Sequence, residues 1–173
     1  SEMLIRLRTL IINIRKAEEE KRRSEISMLS MQINPHFLYN TLHTIKVLSI
    51  MQGIENIQTV TDALSRMVHL NLDTRKFISV VEEESYLQDY LQIQKYRYAG
   101  KFSYSISIED ESQNCFMPKL LVQPIIENAL QHGISKSKTV GILQVRIFLE
   151  QEKLHILVKN SGPAFSPDLL NNQ

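Results

Sequence analysis

The apolar residues of this chain change period at Gly100, and that change limits which elements it can build. Ahead of it, Leu87, Tyr90, Leu91, Gln94 and Tyr98 recur three and four apart, the spacing of one helix face. Beyond it, Phe102, Tyr104, Ile106 and Ile108 alternate with Ser103, Ser105, Ser107 and Glu109, which predicts a strand with one buried face. Pro118 then reads as a helix start. Leu120, Leu121, Ile125, Ile126, Ala129 and Leu130 follow it, with a kink at Pro124 and a stop at Gly133. Leu143, Val145, Ile147 and Leu149 alternate again, as do Leu154, Ile156 and Val158 after a polar turn at 151–153, so these two strands form a hairpin. The order helix, strand, helix, strand, strand predicts an α+β two-layer sandwich that is cut short.

The first half is helical throughout. Leu4, Leu7, Ile11 and Ile14 make a narrow coiled-coil seam, followed by a charged run at 15–23 with Glu18 four residues from Arg22. Such a short seam needs a partner helix, most simply a second copy. A helix through His36 ends near Gly53, and Ile57, Val60, Leu64, Met67 and Val68 predict another from about Glu55 to Leu72. One antiparallel hairpin cannot bury both apolar stripes, whereas two copies would form a four-helix bundle. The pattern breaks at 73–78. Ser79-Val-Val-Glu82 is then a capping-box signature, with Glu83 and Glu84 in the same favourable first turn. These breaks give three segments: 1–24 as a coiled-coil signalling helix, 25–76 as the helical hairpin and 77–173 as a partial α/β domain.

Composition narrows the function. A formal net charge of +1 gives no electrostatic reason to expect nucleic acid. The single cysteine, Cys115, cannot close an internal disulfide, which fits a reducing compartment. No apolar run reaches the roughly 18–20 residues needed to span a bilayer, so any membrane link runs through segments upstream of this chain. Five glycines are few for a protein that handles nucleotide phosphates, an expectation that part of such a site lies elsewhere.

Two motifs carry the chemistry. In the first, Gln32-Ile-Asn-Pro-His-Phe-Leu-Tyr-Asn-Thr-Leu42, the residues Gln32, His36, Asn40 and His43 share one helix face. Met31, Leu38, Leu42, Ile45 and Leu48 lie opposite and are expected to be buried. Pro35 either kinks a continuous helix or occupies its first position behind an Asn34 N-cap. Asn40 is placed to orient the His36 ring, and an exposed, uncharged imidazole is already nucleophilic. The neighbour Phe37 offers no base. His43 reads as a solvated helix residue, and neither His69 nor His155 receives a role.

This stretch closely resembles the phosphoacceptor motif of bacterial two-component sensor histidine kinases of the LytS/YesM-like branch. The second motif, Gln123-Pro-Ile-Ile-Glu-Asn-Ala-Leu-Gln-His-Gly133, resembles the N box of the ATP-binding domain shared by histidine kinases, gyrase-type ATPases and related chaperones. The linking stretch at 86–98 is similar to the branch's tyrosine, leucine and arginine pattern, and the resemblance covers about residues 25–162. It implies a dimeric four-helix bundle followed by a truncated sandwich of the histidine kinase ATPase (Bergerat) type. By the same resemblance Asn128 would hold Mg²⁺, Glu127 would polarise a water or the reacting imidazole, and His132 would lie near the phosphates of ATP. His36 would be phosphorylated and would pass the group to an aspartate of a response regulator. The chain would be the cytoplasmic portion of a bacterial cell-membrane protein.

One departure bears on activity. The family's Asp-x-Gly-x-Gly loop corresponds here to Asn160-Ser-Gly162-Pro-Ala164. Asn160 still offers a carbonyl to the adenine amino group, but without charge the bond is weaker. Ala164 in place of glycine narrows the backbone choices. The alternative is therefore a pseudokinase, a dimeric signalling module that relays movement or binds a regulator without catalysis.

Overall fold

The computed structural model describes residues 34–136 and 139–162, together with positions 3, 6, 8, 15, 16, 18 and 21. The seam of Leu4, Leu7, Ile11 and Ile14 lies outside the described residues, as do Met31, Gln32 and Ala164. The chain divides into two compact units, Ser1–Thr41 and Leu42–Gln173.

Helix α1 spans Pro35–Met51 and α2 spans Glu55–Leu72. Asn34 caps α1: its side-chain oxygen accepts from the backbone N–H of His36 (3.1 Å) and of Phe37 (3.3 Å). Pro35 thus occupies the first helical position, where its missing N–H costs nothing. At the other end Gly53 has φ +66°, its N–H bonds to Ile50 and that of Ile54 to Ser49, the paired bonds of a Schellman stop. Lys46 and Asp62 bridge the two helices at 2.7 Å. Of the expected α1 stripe, Leu42 is buried and Leu38 half-buried, but Ile45 (41%) and Leu48 (51%) are exposed. That corrects the expectation for a single chain, because one neighbouring helix covers only part of the stripe.

Helix α3, Val80–Arg97, begins with the expected capping box: Ser79 Oγ accepts from the Glu82 N–H, and Glu82 accepts from the Ser79 N–H. Val80, Leu87, Tyr90 and Leu91 are buried along one side of it. On the α2 side, Arg66 grips Asp89 with two hydrogen bonds of 2.8 and 2.6 Å. The three-stranded sheet has the order β2 (Phe102–Ile108), β4 (Gly141–Glu150), β5 (Lys153–Asn160), with β2 parallel to β4 and β5 antiparallel to it. Phe102, Leu143, Val145 and Ile147 belong to the same buried cluster as Leu87 and Leu91 of α3 and Ile126 of the N-box helix. The molecule is therefore α+β, as the change of period predicts.

Two readings need correction. Pro118 does not start a helix. It ends β3, Phe116–Pro118, which pairs antiparallel with β1, Phe77–Ser79, so the expected break at 73–78 also holds strand residues. The helix α4 begins later, at Gln123–Asn128, with Pro124 in its first turn rather than at a kink. There the ring removes only a donor that would have had no helical partner. Among the described residues no helix is long and apolar enough to cross a membrane.

Candidate functional site

The phosphoacceptor-like segment opens α1. With Asn34 holding the amides of residues 36 and 37, the His36 side chain emerges from the first turn and is exposed. One turn on, Asn40 is also exposed, and its amide nitrogen lies 3.3 Å from both His36 ring nitrogens. The tautomer decides which ring nitrogen engages it. Phe37 is exposed beside them, and no carboxylate stands next to His36 in the sequence.

The second motif occupies α4 and the π-helical turn that follows it, Ala129–Gly133. Widened turns of this kind recur at functional sites because they rotate side chains out of α register. Glu127 is half-buried and accepts from the Gln131 side chain (3.1 Å), whereas Asn128 and His132 are exposed. Ile126, Ala129 and Leu130 are buried and fix this segment to the core.

The fold brings Asn160 and Gly162 to the end of this motif. A Cβ built on Gly133 would collide with the Asn160 side-chain amide, and one built on Gly162 would collide with the Gly133 backbone. Two glycines meeting backbone to backbone leave no room for a Cβ on either, so main-chain groups and the Asn160 side chain line this corner. The end of the second motif at Gly133 thus meets Asn160 and Gly162, while Glu127, Asn128 and His132 lie earlier on the same helical segment.

Two residues here escape a motif search. Glu83 is fully buried, and its two oxygens accept from the N–H groups of Leu120 and Val122, each at 3.2 Å. Burial pushes its carboxyl above the ordinary value, against the opposing pull of those two bonds. Its position four residues before Leu87 puts it in phase with the buried stripe, a signal that a first-turn acidic reading overlooks. Tyr90 is buried as well, and its hydroxyl is pushed up to about 12, first by burial and then by the charge of nearby Glu127. It stays protonated beside that carboxylate.

The histidine kinase family model matches residues 24–102 of the chain. The sensor histidine kinase YesM of Bacillus subtilis is 29% identical over 150 residues, covering 86% of this chain and 26% of YesM. The sensor protein LytS of Oceanobacillus iheyensis is 33% identical over 172 residues, covering 95% of this chain and 29% of LytS. The chain belongs to the bacterial sensor histidine kinases of the LytS/YesM type. The uncharacterized protein YwpD of B. subtilis is 32% identical over 172 residues, 97% of this chain and 61% of YwpD. The chain therefore spans less than two thirds of each of these relatives. Within this histidine kinase chain the family model takes in α1, α2, α3 and the exposed His36.

Proposed function

We propose that this chain is the ATP-dependent kinase core of a two-component sensor, in which His36 receives the γ-phosphoryl group of ATP and passes it to an aspartate of a response regulator. The observation that carries this reading is the exposed His36 ring at a capped helix start with the Asn40 amide against it. With its amide turned so that the oxygen accepts from the ring N–H, Asn40 holds the ring in one orientation and leaves the lone pair of the other nitrogen free to attack. A nitrogen–phosphorus bond forms as the bond to the ADP oxygen breaks, and the proton left on the imidazole passes to solvent.

The residues present fit magnesium and ATP. Asn128 offers an exposed amide oxygen, a hard donor of the kind Mg²⁺ takes alongside phosphate oxygens and water. Bound Mg²⁺ would supply charge neutralisation. His132 is exposed one turn beyond Asn128, and the backbone corner at Gly133 and Gly162 admits close approach of a ligand. Asn160 accepts from the adenine amino group through its carbonyl.

The apolar residues left exposed on α1 and α2 support a homodimer whose hairpins form a four-helix bundle at 25–76. Residues 77–173 are then the corresponding part of a Bergerat-type ATPase domain, and 1–24 the incoming signalling helix. The arrangement suits the cytoplasmic portion of a membrane receptor. Labelled ATP and Mg²⁺ supplied to the full-length protein should give an acid-labile phosphoprotein that disappears in His36→Gln. Equal labelling of that variant rejects the proposal. Asn160 in place of the expected aspartate favours the second reading, a pseudokinase, which predicts no saturable Mg-ATP binding in a titration.

A further inference from the structure

The segment at 119–122, which joins β3 to α4, is anchored from both sides by ionisable side chains, Lys119 on one and Glu83 on the other. The Lys119 N–H donates to the Lys76 carbonyl (3.0 Å), which fixes its backbone at the end of the small sheet. Its ammonium donates to the carbonyls of Asp73 (2.6 Å) and Leu70 (2.9 Å) and lies 3.5 Å from that of Asn71. These are carbonyls at the C-terminal end of α2, the negative end of the helix, so a residue from the segment just after β3 caps the hairpin's second helix. On the other side, Glu83 of α3 holds the amides of Leu120 and Val122, the latter immediately preceding α4. Tyr86, also of α3, donates to the Gln123 side chain at the start of α4 (2.7 Å) and accepts from the Asn71 side chain near the end of α2. Between the anchors Leu120 has φ +62°, a left-handed conformation that leucine rarely adopts and that persists only where its surroundings enforce it.

We propose that Lys119, Glu83 and Tyr86 are positioning residues that tie the start of α4, and with it Glu127 and Asn128, to the C-terminal end of α2. A shift of α2 moves the carbonyls that hold Lys119, and the strained segment carries that shift into the N box. The helical hairpin thereby sets the nucleotide-facing residues without touching nucleotide. In its consequence for catalysis, this rests on the kinase reading above.

The test uses the full-length protein and the variants Lys119→Met, which keeps the aliphatic stem, and Lys119→Arg, which keeps the charge. Amide hydrogen exchange without nucleotide should be about tenfold faster at 125–128 in Lys119→Met, the scale of a lost charged hydrogen bond, and restored in Lys119→Arg. Amides of β4 should change by less than about twofold. With ATP and Mg²⁺, labelling of His36 should slow about tenfold while the Kd for Mg-ATP changes by less than about threefold. Unchanged exchange in α4, or an equal rise in α4 and β4, overturns the proposal. If the parent protein is not labelled at all, the kinase reading fails while the exchange comparison still decides the coupling. Should Lys119→Met not fold, Glu83→Gln supplies the same comparison from the other anchor.

Discussion

Burial raises the Glu83 carboxyl above its ordinary value of 4.5, although two backbone amides favour its charged form. The folded chain therefore keeps this proton to higher pH than the unfolded chain does. The stabilisation is fully present below the ordinary value and is lost as pH rises through the raised one. Urea unfolding of the parent and of Glu83→Gln should show a stability difference that shifts against the parent across that window; a pH-independent difference would contradict the assignment. Asp73 and Glu82 act in the opposite sense. Hydrogen bonds led by the backbone N–H of Arg75 and of Ser79 respectively hold them below the carboxylate range, so their contribution is lost as pH falls. Both are retained in Glu83→Gln, and the comparison isolates the buried group. At Gly162 the constraint is steric. Gly162→Ala should destabilise by about 1–3 kcal/mol and abolish Mg-ATP binding, because the added methyl meets the Gly133 backbone rather than a side chain that can swing aside.

The elements with long periodic patterns were legible in the sequence, and the short ones were not. The capping box of α3 and the stop at Gly53 follow from residue types that satisfy orphan backbone groups, so local chemistry alone marked them. Three-residue strands such as β1 and β3 are too short to show alternation, and Pro118 at the end of one was therefore read as a helix start. The acceptor motif left two positions open for Pro35, and the Asn34 side chain closed the choice. Asn34→Ala should cost α1 about 1 kcal/mol, read as faster exchange of the amides in its first turn with little change in α3. Gly53→Ala should cost about the same. Nothing crowds the site, so the penalty is the left-handed backbone alone.

At the scale of the molecule, the α+β order was readable because period reports element type, whereas the meeting of Gly133 with Gly162 joins positions far apart and leaves no local trace. The same applies to Lys119 on the end of α2. Helical spacing identified the apolar stripes of the hairpin but not how much of them one chain covers. Leu48 is half exposed, and Leu64 remains 38% exposed. Burying a leucine is worth about 1.5–3 kcal/mol, so Leu48→Glu should raise the dimer Kd at least about tenfold in sedimentation equilibrium. An unchanged Kd, or a parent protein that stays monomeric, would contradict the proposed four-helix bundle. The parallel pairing of β2 with β4 has one further consequence. Residues 109–140 form the crossover that runs from the end of β2 back to the start of β4 at the opposite end of the sheet, and the N box lies within it. Pairing two strands across so long a connection is slow in a folding chain. The corner at Gly133 and Gly162, proposed to handle nucleotide, should therefore be the last part of the protein to assemble, after the helices on which it depends.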